Sequence, residues 1–320
     1  MTNTLPLLTI VTPSLNRAGF ISNAIDSVLA QDYPNVEHII VDGGSTDGTL
    51  EKLVKYPHLR VISEPDNGLY DALNKGIRFS HGKVIGFINT DDCYEPNIFG
   101  IVMETMYNDL NLAAVVGGAT FFQGQTAQPP MMRDIFSVYS PITRQNLFYR
   151  LTRGVSIFNA WFFRRNVFDV TGNFNICYRA SADRDFLIRF AISEFSYTCI
   201  DRIVYHYRQH PDSLTLFGGG NAETYFVFED RTIAESFLNP SRSDVPQEAK
   251  RYIRRWHSHI TTNQTLLSLK RFHIGAAGRY SLRGIKFNVF GWGIVFLSSL
   301  FKNILHHIRQ MIVGWIPLII

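Results

Sequence analysis

The chain has 320 residues, 46% hydrophobic and 18% charged, with 31 basic against 27 acidic side chains and a formal net charge of +4. That length permits one large domain or two modest ones, the apolar content excludes a disordered chain, and so small a net charge argues against bulk nucleic-acid binding. Cys93, Cys177 and Cys199 have no metal-ligand spacing and are odd in number, so the chain is expected in a reducing compartment without a disulfide framework.

Residues 8–13 (LTIVTP) form a short β-rich run that turns at Pro13-Ser14. The start, MTNTLPLLTIV, lacks the basic lead and apolar core of a signal peptide, so its apolar stretch reads as the first strand and the catalytic part is expected in the cytoplasm. Ile21, Ile25, Val28 and Leu29 recur at helical spacing, and Pro34-Asn35 breaks that helix. A second strand covers 36–41, Gly43-Gly44 turns, and Ser45 or Thr46 caps a helix with Leu50, Leu53 and Val54 on its buried face. A third strand (59–63), a helix carrying Tyr70, Leu73 and Ile77, and a fourth strand (84–88) follow. Ile98, Ile101 and Val102 mark a further helix and 113–117 a further strand. Strands alternating with helices every ten to fifteen residues predict an α/β fold, with a parallel sheet covered by helices over the first ~120 residues.

Beyond that the pattern loosens. Residues 121–150, with Pro129-Pro130 and Pro141, read as loop; then come AWFFRR (160–165), the turn GNFN (172–175), a helix from Asp183 to about Phe195 and a strand over 201–208. Residues 216–221 (LFGGGN) read as flexible and 223–273 as helical. The last ~70 residues are basic and nearly free of acids. Within them 285–301 and 311–320 are apolar runs, the first at the short limit for a bilayer span, which needs ~20 residues. Apolar and aromatic residues flanked by basic ones predict a helix lying in the membrane interface; a core helix packed on the catalytic domain is the alternative.

Asp42 closes the second strand, and Asp91 and Asp92 close the fourth. Carboxylates at the carboxyl ends of parallel strands stand where an open α/β sheet binds its ligand. Two adjacent ones suit Mg²⁺ or Mn²⁺, and such a cation suits a diphosphate, so the pattern points to an enzyme that handles a nucleotide diphosphate. Asp42 can accept from a uracil imide or bond a ribose hydroxyl, with Gly43-Gly44 letting the backbone approach a flat base; an Asx-turn aspartate ahead of a helix is the competing reading. Asp47 suits a structural, capping role. For Asp91-Asp92 the alternative is an acidic pair at a helix N-terminus. Asn89 is placed to bond the ribose.

In EPDNGLYDALNKGI (64–77), Asp66, Asn67 and Gly68 form a turn, and Asp71 and Asn74 share a face of the helix that follows. Asp183 in ASADRDF opens a helix with Ser181 available as cap. A carboxylate there can deprotonate a hydroxyl as general base or merely complement the helix dipole. His206 in VYHYRQH is a third metal ligand, a diphosphate donor or a satisfied core histidine, and Arg208 and His210 are candidates for the leaving diphosphate.

Taken in order, TIVTPSLNR, SVLAQDYPNVEHIIVDGGSTDGT, NGLYDALNKGI, GFINTDD, FFRRNVFDVTGNF and SADRDF resemble the family 2 glycosyltransferases with the GT-A fold, over about Leu8 to Arg208. The similarity is greatest to bacterial enzymes that build exopolysaccharide or lipopolysaccharide sugars. The resemblance implies that Thr12, Pro13 and Asn16 line the nucleotide, that Asp42 contacts the base, and that Asn89-Thr90-Asp91-Asp92 is the D-x-D region with Asn89 in place of its first acid. Asp91 is then the metal ligand, with Asp92 close behind; His206, read from the residues alone, is the candidate third ligand, with a satisfied core histidine the favoured reading. Asp183 is implied as catalytic base, with Ala182 standing where the family more usually has an acid. The implied reaction is an in-line displacement with inversion, in which Asp183 takes the acceptor proton and a metal-held diphosphate leaves.

The expected organisation is a nucleotide-sugar-binding α/β half (1–120), an acceptor-side half of the same domain (121–215) and a helical basic and apolar extension (216–320). A UDP-sugar is the default donor because Asp42 suits uracil, with GDP and dTDP left open. The expected acceptor is a glycan or polyprenyl-linked hydroxyl at the cytoplasmic face of the inner membrane, reached through residues 284–320. A noncatalytic sugar-nucleotide-binding module would keep Asp42 and Asp91 and dispense with Asp183. A nucleotidyltransferase would show a Gly-rich basic phosphate loop after the first strand, and a Rossmann oxidoreductase a G-x-G-x-x-G turn; neither is present.

Overall fold

The computed structural model describes residues 5–123, 135–154, 157–210 and 221–315. Contacts divide the chain into two compact units, Met1–Phe226 and Val227–Ile320. The parts expected at 1–120 and 121–215 both fall inside the first.

The first unit begins with β1 (Leu8–Ser14), α1 (Ile21–Leu29), β2 (Val36–Asp42), α2 (Thr49–Leu53), β3 (Arg60–Ser63), α3 (Leu69–Phe79) and β4 (Val84–Phe87). β1 pairs in parallel with both β2 and β4, and β2 with β3, so their carboxyl ends share one edge. All of β1 and β4 is buried, which is why these strands read as continuous apolar runs rather than alternating ones. α1 buries Ile21, Ala24, Ile25 and Val28, the stripe its spacing predicts; Ile21 and Ile25 pack with Ile40 and Leu53. α3 comes so close to β1 that a Cβ on Gly76 would stand 2.1 Å from a Val11 methyl.

The sheet is not parallel throughout. It continues through β5 (Cys93–Tyr94), β6 (Ala114–Gln123), β7 (Ile135–Tyr139), β8 (Trp161–Arg164) and β9 (Tyr197–Gln209), interleaved with α4 (Phe99–Asn108), α5 (Leu147–Thr152), α6 (Asn166–Thr171) and α7 (Ala182–Ile192). Among the described residues the strand order is β3-β2-β1-β4-β8-β6-β9-β5, with β7 also on β6. β8 enters antiparallel between β4 and β6, so the strand expected at 113–117 does not extend the parallel set. That strand is also longer than expected, and β7 forms inside the stretch read as loop. The Gly117-Gly118 pair misleads: it resembles a strand end, yet a Cβ on Gly117 would lie 1.9 Å from a Val204 methyl and one on Gly118 2.9 Å from the Tyr139 carbonyl oxygen. These glycines mark close approach inside a strand. Pro129-Pro130 and residues 216–220 lie outside the described residues.

The second unit is helical: α8 (Asn221–Phe237), inside which the unit boundary falls, α9 (Gln247–Lys270), α10 (Ile274–Phe287) and α11 (Val289–Trp315). The apolar run 285–301 is split, because extended Asn288 (φ −161°, ψ 78°) ends α10. Its Oδ1 accepts from the Gly291 N–H at 3.1 Å, and its Nδ2 donates to Ser258 Oγ of α9 at 3.1 Å. Trp292 packs over Gly284, where a Cβ would stand 2.0 Å from the indole. Among the described residues no helix is long and apolar enough to cross a membrane. Residues 316–320 of the terminal apolar run lie outside the described residues.

Candidate active site

The parallel edge is built by short polar loops that tie to one another. Asn16, in the left-handed region (φ 54°), takes the Thr46 N–H on its Oδ1 at 2.8 Å, while its own N–H donates to Ser45 Oγ at 2.7 Å. Asp47 joins the same pair of loops, accepting from the Ala18 N–H at 3.0 Å and from Thr49 Oγ1 at 2.5 Å. The Thr49 hydroxyl, then the Ala18 amide, hold its carboxyl below the usual range.

Three residues assigned to the nucleotide are turned inward. Asp42 is fully buried: its Oδ2 accepts from the Gly44 and Ser45 N–H groups and from Ser63 Oγ, and its Oδ1 from Ser45 Oγ. It is the Asx-type clamp of its own turn, not a group facing a base. Thr12, also fully buried, bonds His38 Nε2 at 2.8 Å. Pro13 is a buried residue of β1, paired in register with Val41. Both neighbours are covered because β1 is buried on both faces of the sheet, which its sequence does not distinguish from a strand end open to a ligand. Burial pushes His38 down to about 3, so its ring is neutral.

At the end of β4 the two adjacent acids separate in role. Asp92 is 3% exposed; its Oδ2 accepts from Tyr205 Oη at 2.7 Å and Asn89 Nδ2 at 3.0 Å, and its Oδ1 from the Arg208 N–H at 2.8 Å. Burial, then the neighbouring Asp91 carboxylate, pushes its pKa well above the carboxylate range, while those three donors pull the other way. Asp92 is therefore an anchor for β9 and not an open metal ligand, and Asn89 is spent on it rather than on a ribose. His206 is likewise internal: Thr120 Oγ1 lies 2.7 Å from its Nδ1 and Glu95 Oε2 2.6 Å from its Nε2. Both ring nitrogens have protein partners, which removes it from the metal set.

The histidine at the edge is His210. Its Nε2 stands 2.8 Å from Asp91 Oδ2, and its ring stacks on Phe20 with centroids 4.6 Å apart. Buried Arg208 supports this corner by donating from Nε to the Asp91 carbonyl oxygen at 2.7 Å, with its guanidinium over Phe122. The sequence signal for His210 was its place just past a strand that answers the acidic pair.

Asp183 sits in the first turn of α7, half-buried. Its Oδ1 accepts from Tyr70 Oη at 3.2 Å and from the Arg184 N–H at 2.8 Å. Tyr70, at the start of α3, packs its ring on Phe174, and Asn74 of the same helix exchanges two hydrogen bonds with the Phe174 backbone. Phe174 in turn contacts Phe87, Phe158 and Phe186. One aromatic cluster thus sets the end of β4 and the start of α7 relative to each other. Sequence reading missed Tyr70, which looked like one more apolar position of an amphipathic helix.

The family model for Glycosyl transferase family 2 matches residues 9–172. Among curated proteins the chain is 25% identical over 260 residues to a hyaluronan synthase of Pasteurella multocida, covering 78% of this chain and 26% of that one. It is 31% identical over 194 residues to a PGL/p-HBAD biosynthesis glycosyltransferase of Mycobacterium tuberculosis, covering 58% of this chain and 69% of the relative. In fold it resembles S. aureus TarS 1-349 in complex with UDP, with a TM-score of 0.58, 15% identity and coverage of 92% and 91%. It also resembles the mannosyltransferase PcManGT of Pyrobaculum calidifontis in complex with GDP-Man and Mn²⁺, with a TM-score of 0.54, 16% identity and coverage of 92% and 88%. The fold is the GT-A arrangement, a mostly parallel sheet flanked by helices with a mixed half.

Proposed function

The chain belongs to the family 2 glycosyltransferases, and on that premise we propose that it transfers a sugar, with inversion, from a nucleotide diphosphate donor to a hydroxyl of a glycan or lipid-linked acceptor in surface polysaccharide synthesis. The observation that carries this is the pairing of Asp91 Oδ2 with His210 Nε2, 2.8 Å apart, at the carboxyl end of β4. The two groups hydrogen-bond each other here, and a divalent ion would be held by exchanging that bond for two metal contacts, the nitrogen favouring Mn²⁺ over Mg²⁺. Bound there, the ion supplies positive charge to the leaving diphosphate. Stacking on Phe20 and the Arg208 bond to the Asp91 carbonyl keep the two side chains beside each other, which limits the ordering left to binding.

Asp183 is the proposed base. It receives the acceptor proton as the hydroxyl oxygen attacks the anomeric carbon, and Tyr70 and the Arg184 N–H fix its Oδ1. Geometry and charge placement carry most of the acceleration in such a displacement. The test is a thermal-shift screen of nucleotide sugars with Mn²⁺ and with chelator, followed by a transfer assay. A shift that needs both metal and nucleotide is expected; stabilisation indifferent to chelator would refute the metal site.

Membrane contact is proposed for the second unit. Phe272, Ile274, Leu282, Phe290, Ile294 and Phe301 are all more than 60% exposed. Basic Lys270, Arg271, Arg279, Arg283, Lys286 and Lys302 are interspersed with them, and no acid follows Glu248. Apolar side chains within a basic field suit helices lying on an anionic bilayer surface, which supports the reading of a peripheral enzyme at the cytoplasmic face of the inner membrane, beside a lipid-linked acceptor.

A further inference from the structure

Asp42 cannot read the donor base, since its oxygens are consumed by its own turn and Ser63. The geometry points to Asp66 instead: we propose that Asp66 Oδ2, lying against the bare backbone of Gly43, accepts the ring N–H of the donor's base. This rests on the nucleotide-sugar reading and assigns its base specificity.

Four observations converge on that oxygen. Asp66 Oδ1 accepts the Gly68 N–H at 2.8 Å, an Asx turn that fixes the carboxylate and leaves Oδ2 with no hydrogen-bond partner among the described residues. A Cβ built on Gly43 would stand 2.5 Å from that Oδ2 and 3.1 Å from its carboxyl carbon, so the absent side chain is what admits the carboxylate. Gly43 does not need to be glycine for its backbone, unlike Gly44 beside it at φ +92°. Last, the Gly43 N–H donates to the Ser14 carbonyl at 2.8 Å, and Ser14, Asp42 and Ser63 are register partners at the ends of β1, β2 and β3. Asp66 therefore presents an acceptor over the edge where a parallel sheet holds its nucleotide.

An ionised carboxylate only accepts hydrogen bonds. It pairs with a ring N–H, which uracil and guanine carry, and opposes the bare ring nitrogen of cytosine or adenine, leaving a desolvated acceptor unpaired. The separation of 2.5 Å between the virtual Gly43 Cβ and Asp66 Oδ2 is about that between Cβ and a carboxylate oxygen within one aspartate. A carboxylate grown on position 43 could thus stand in for the one at 66.

The test is calorimetric binding of UDP, GDP, CDP and ADP, each with Mn²⁺, to the full chain and three variants. Wild type is expected to prefer UDP or GDP over CDP and ADP by roughly tenfold or more, and which of the two binds better identifies the base. Asp66→Asn, whose amide can donate, should collapse the ratio of the preferred nucleotide to CDP toward one. Asp66→Ala should lose the preference, and Gly43→Asp with Asp66→Ala should restore it. An unchanged ratio in Asp66→Asn, with tight binding and an unaltered melting temperature, would overturn the assignment and leave the transferase reading standing. Failure of the wild type to bind any of the four would remove both.

Discussion

Tyr70 Oη donates to Asp183 Oδ1 at 3.2 Å, joining residues 113 apart in sequence. The bond links the first turn of α3 to the first turn of α7, so one tyrosine on α3 orients the carboxylate proposed to deprotonate the acceptor. Asp183→Asn keeps the size of the side chain and removes its basicity. Transfer should fall by about 10²–10⁴, while calorimetric affinity for the donor stays within twofold or so. Full activity in this variant would remove the base.

Tyr70→Phe separates positioning from chemistry. The ring stays on Phe174, so folding is preserved, but Asp183 loses a neutral donor. A roughly tenfold drop in kcat is expected, about 1.4 kcal/mol, with KM little changed. A rise in KM alone would show that the hydroxyl serves substrate binding.

The neighbours Asp91 and Asp92 should respond differently. Asp91→Ala and His210→Ala should each weaken Mn²⁺ binding, read from the free-ion signal in electron paramagnetic resonance, and abolish most transfer. Asp92→Ala leaves the Tyr205 hydroxyl and the Arg208 N–H without their acceptor, at a cost of about 2–5 kcal/mol in urea denaturation. His206→Ala should likewise destabilise, without abolishing Mn²⁺ binding. Loss of the Mn²⁺ signal in His206→Ala, with the fold intact, would return that residue to the metal set.

These contrasts mark how far the sequence carried. Four β/α repeats were legible because short β-rich runs, buried throughout in β1 and β4, alternate with helices whose apolar residues recur at helical spacing. The acids at the strand ends were legible as a cluster. Their individual duties were not: Asp42 ends β2 and Asp91 follows β4, yet one folds onto its own turn and the other bonds His210. That difference is set by tertiary partners, Ser63 for Asp42 and His210 for Asp91. The insertion of β8 was hidden for the same reason, since strand pairing order is decided by contacts distant in sequence.

His38 gives the fold a pH dependence of known sign. Its folded pKa is depressed to about 3 by burial, below the ~6.5 of an exposed histidine. The unfolded chain therefore binds a proton that the folded chain refuses between those values. Stability is full above pH 6.5 and declines as pH falls, by up to about 1.4 kcal/mol per unit, until the loss levels off near pH 3. His38→Gln, which can still bond Thr12 and does not titrate, should flatten the decline between pH 7.5 and 5.0 in urea denaturation. An equal slope in both proteins would place the sensitivity elsewhere.

The helical unit should bind vesicles through α10 and α11. Phe290 and Ile294, one turn on, are 86% and 70% exposed on α11, so Phe290→Ser with Ile294→Ser should leave the melting temperature within a degree or so of wild type. Each buried apolar side chain contributes about 1.5–3 kcal/mol on leaving water, and each Lys or Arg near an anionic surface about 1 kcal/mol. Co-sedimentation with phosphatidylserine-containing vesicles should therefore drop at least tenfold in the double variant, and in wild type should weaken as salt rises. Vesicles of purely zwitterionic lipid should hold the protein poorly, because the basic residues then have no opposite charge to meet. Binding that ignores both the substitutions and the salt would assign the exposed face to a protein partner rather than to lipid.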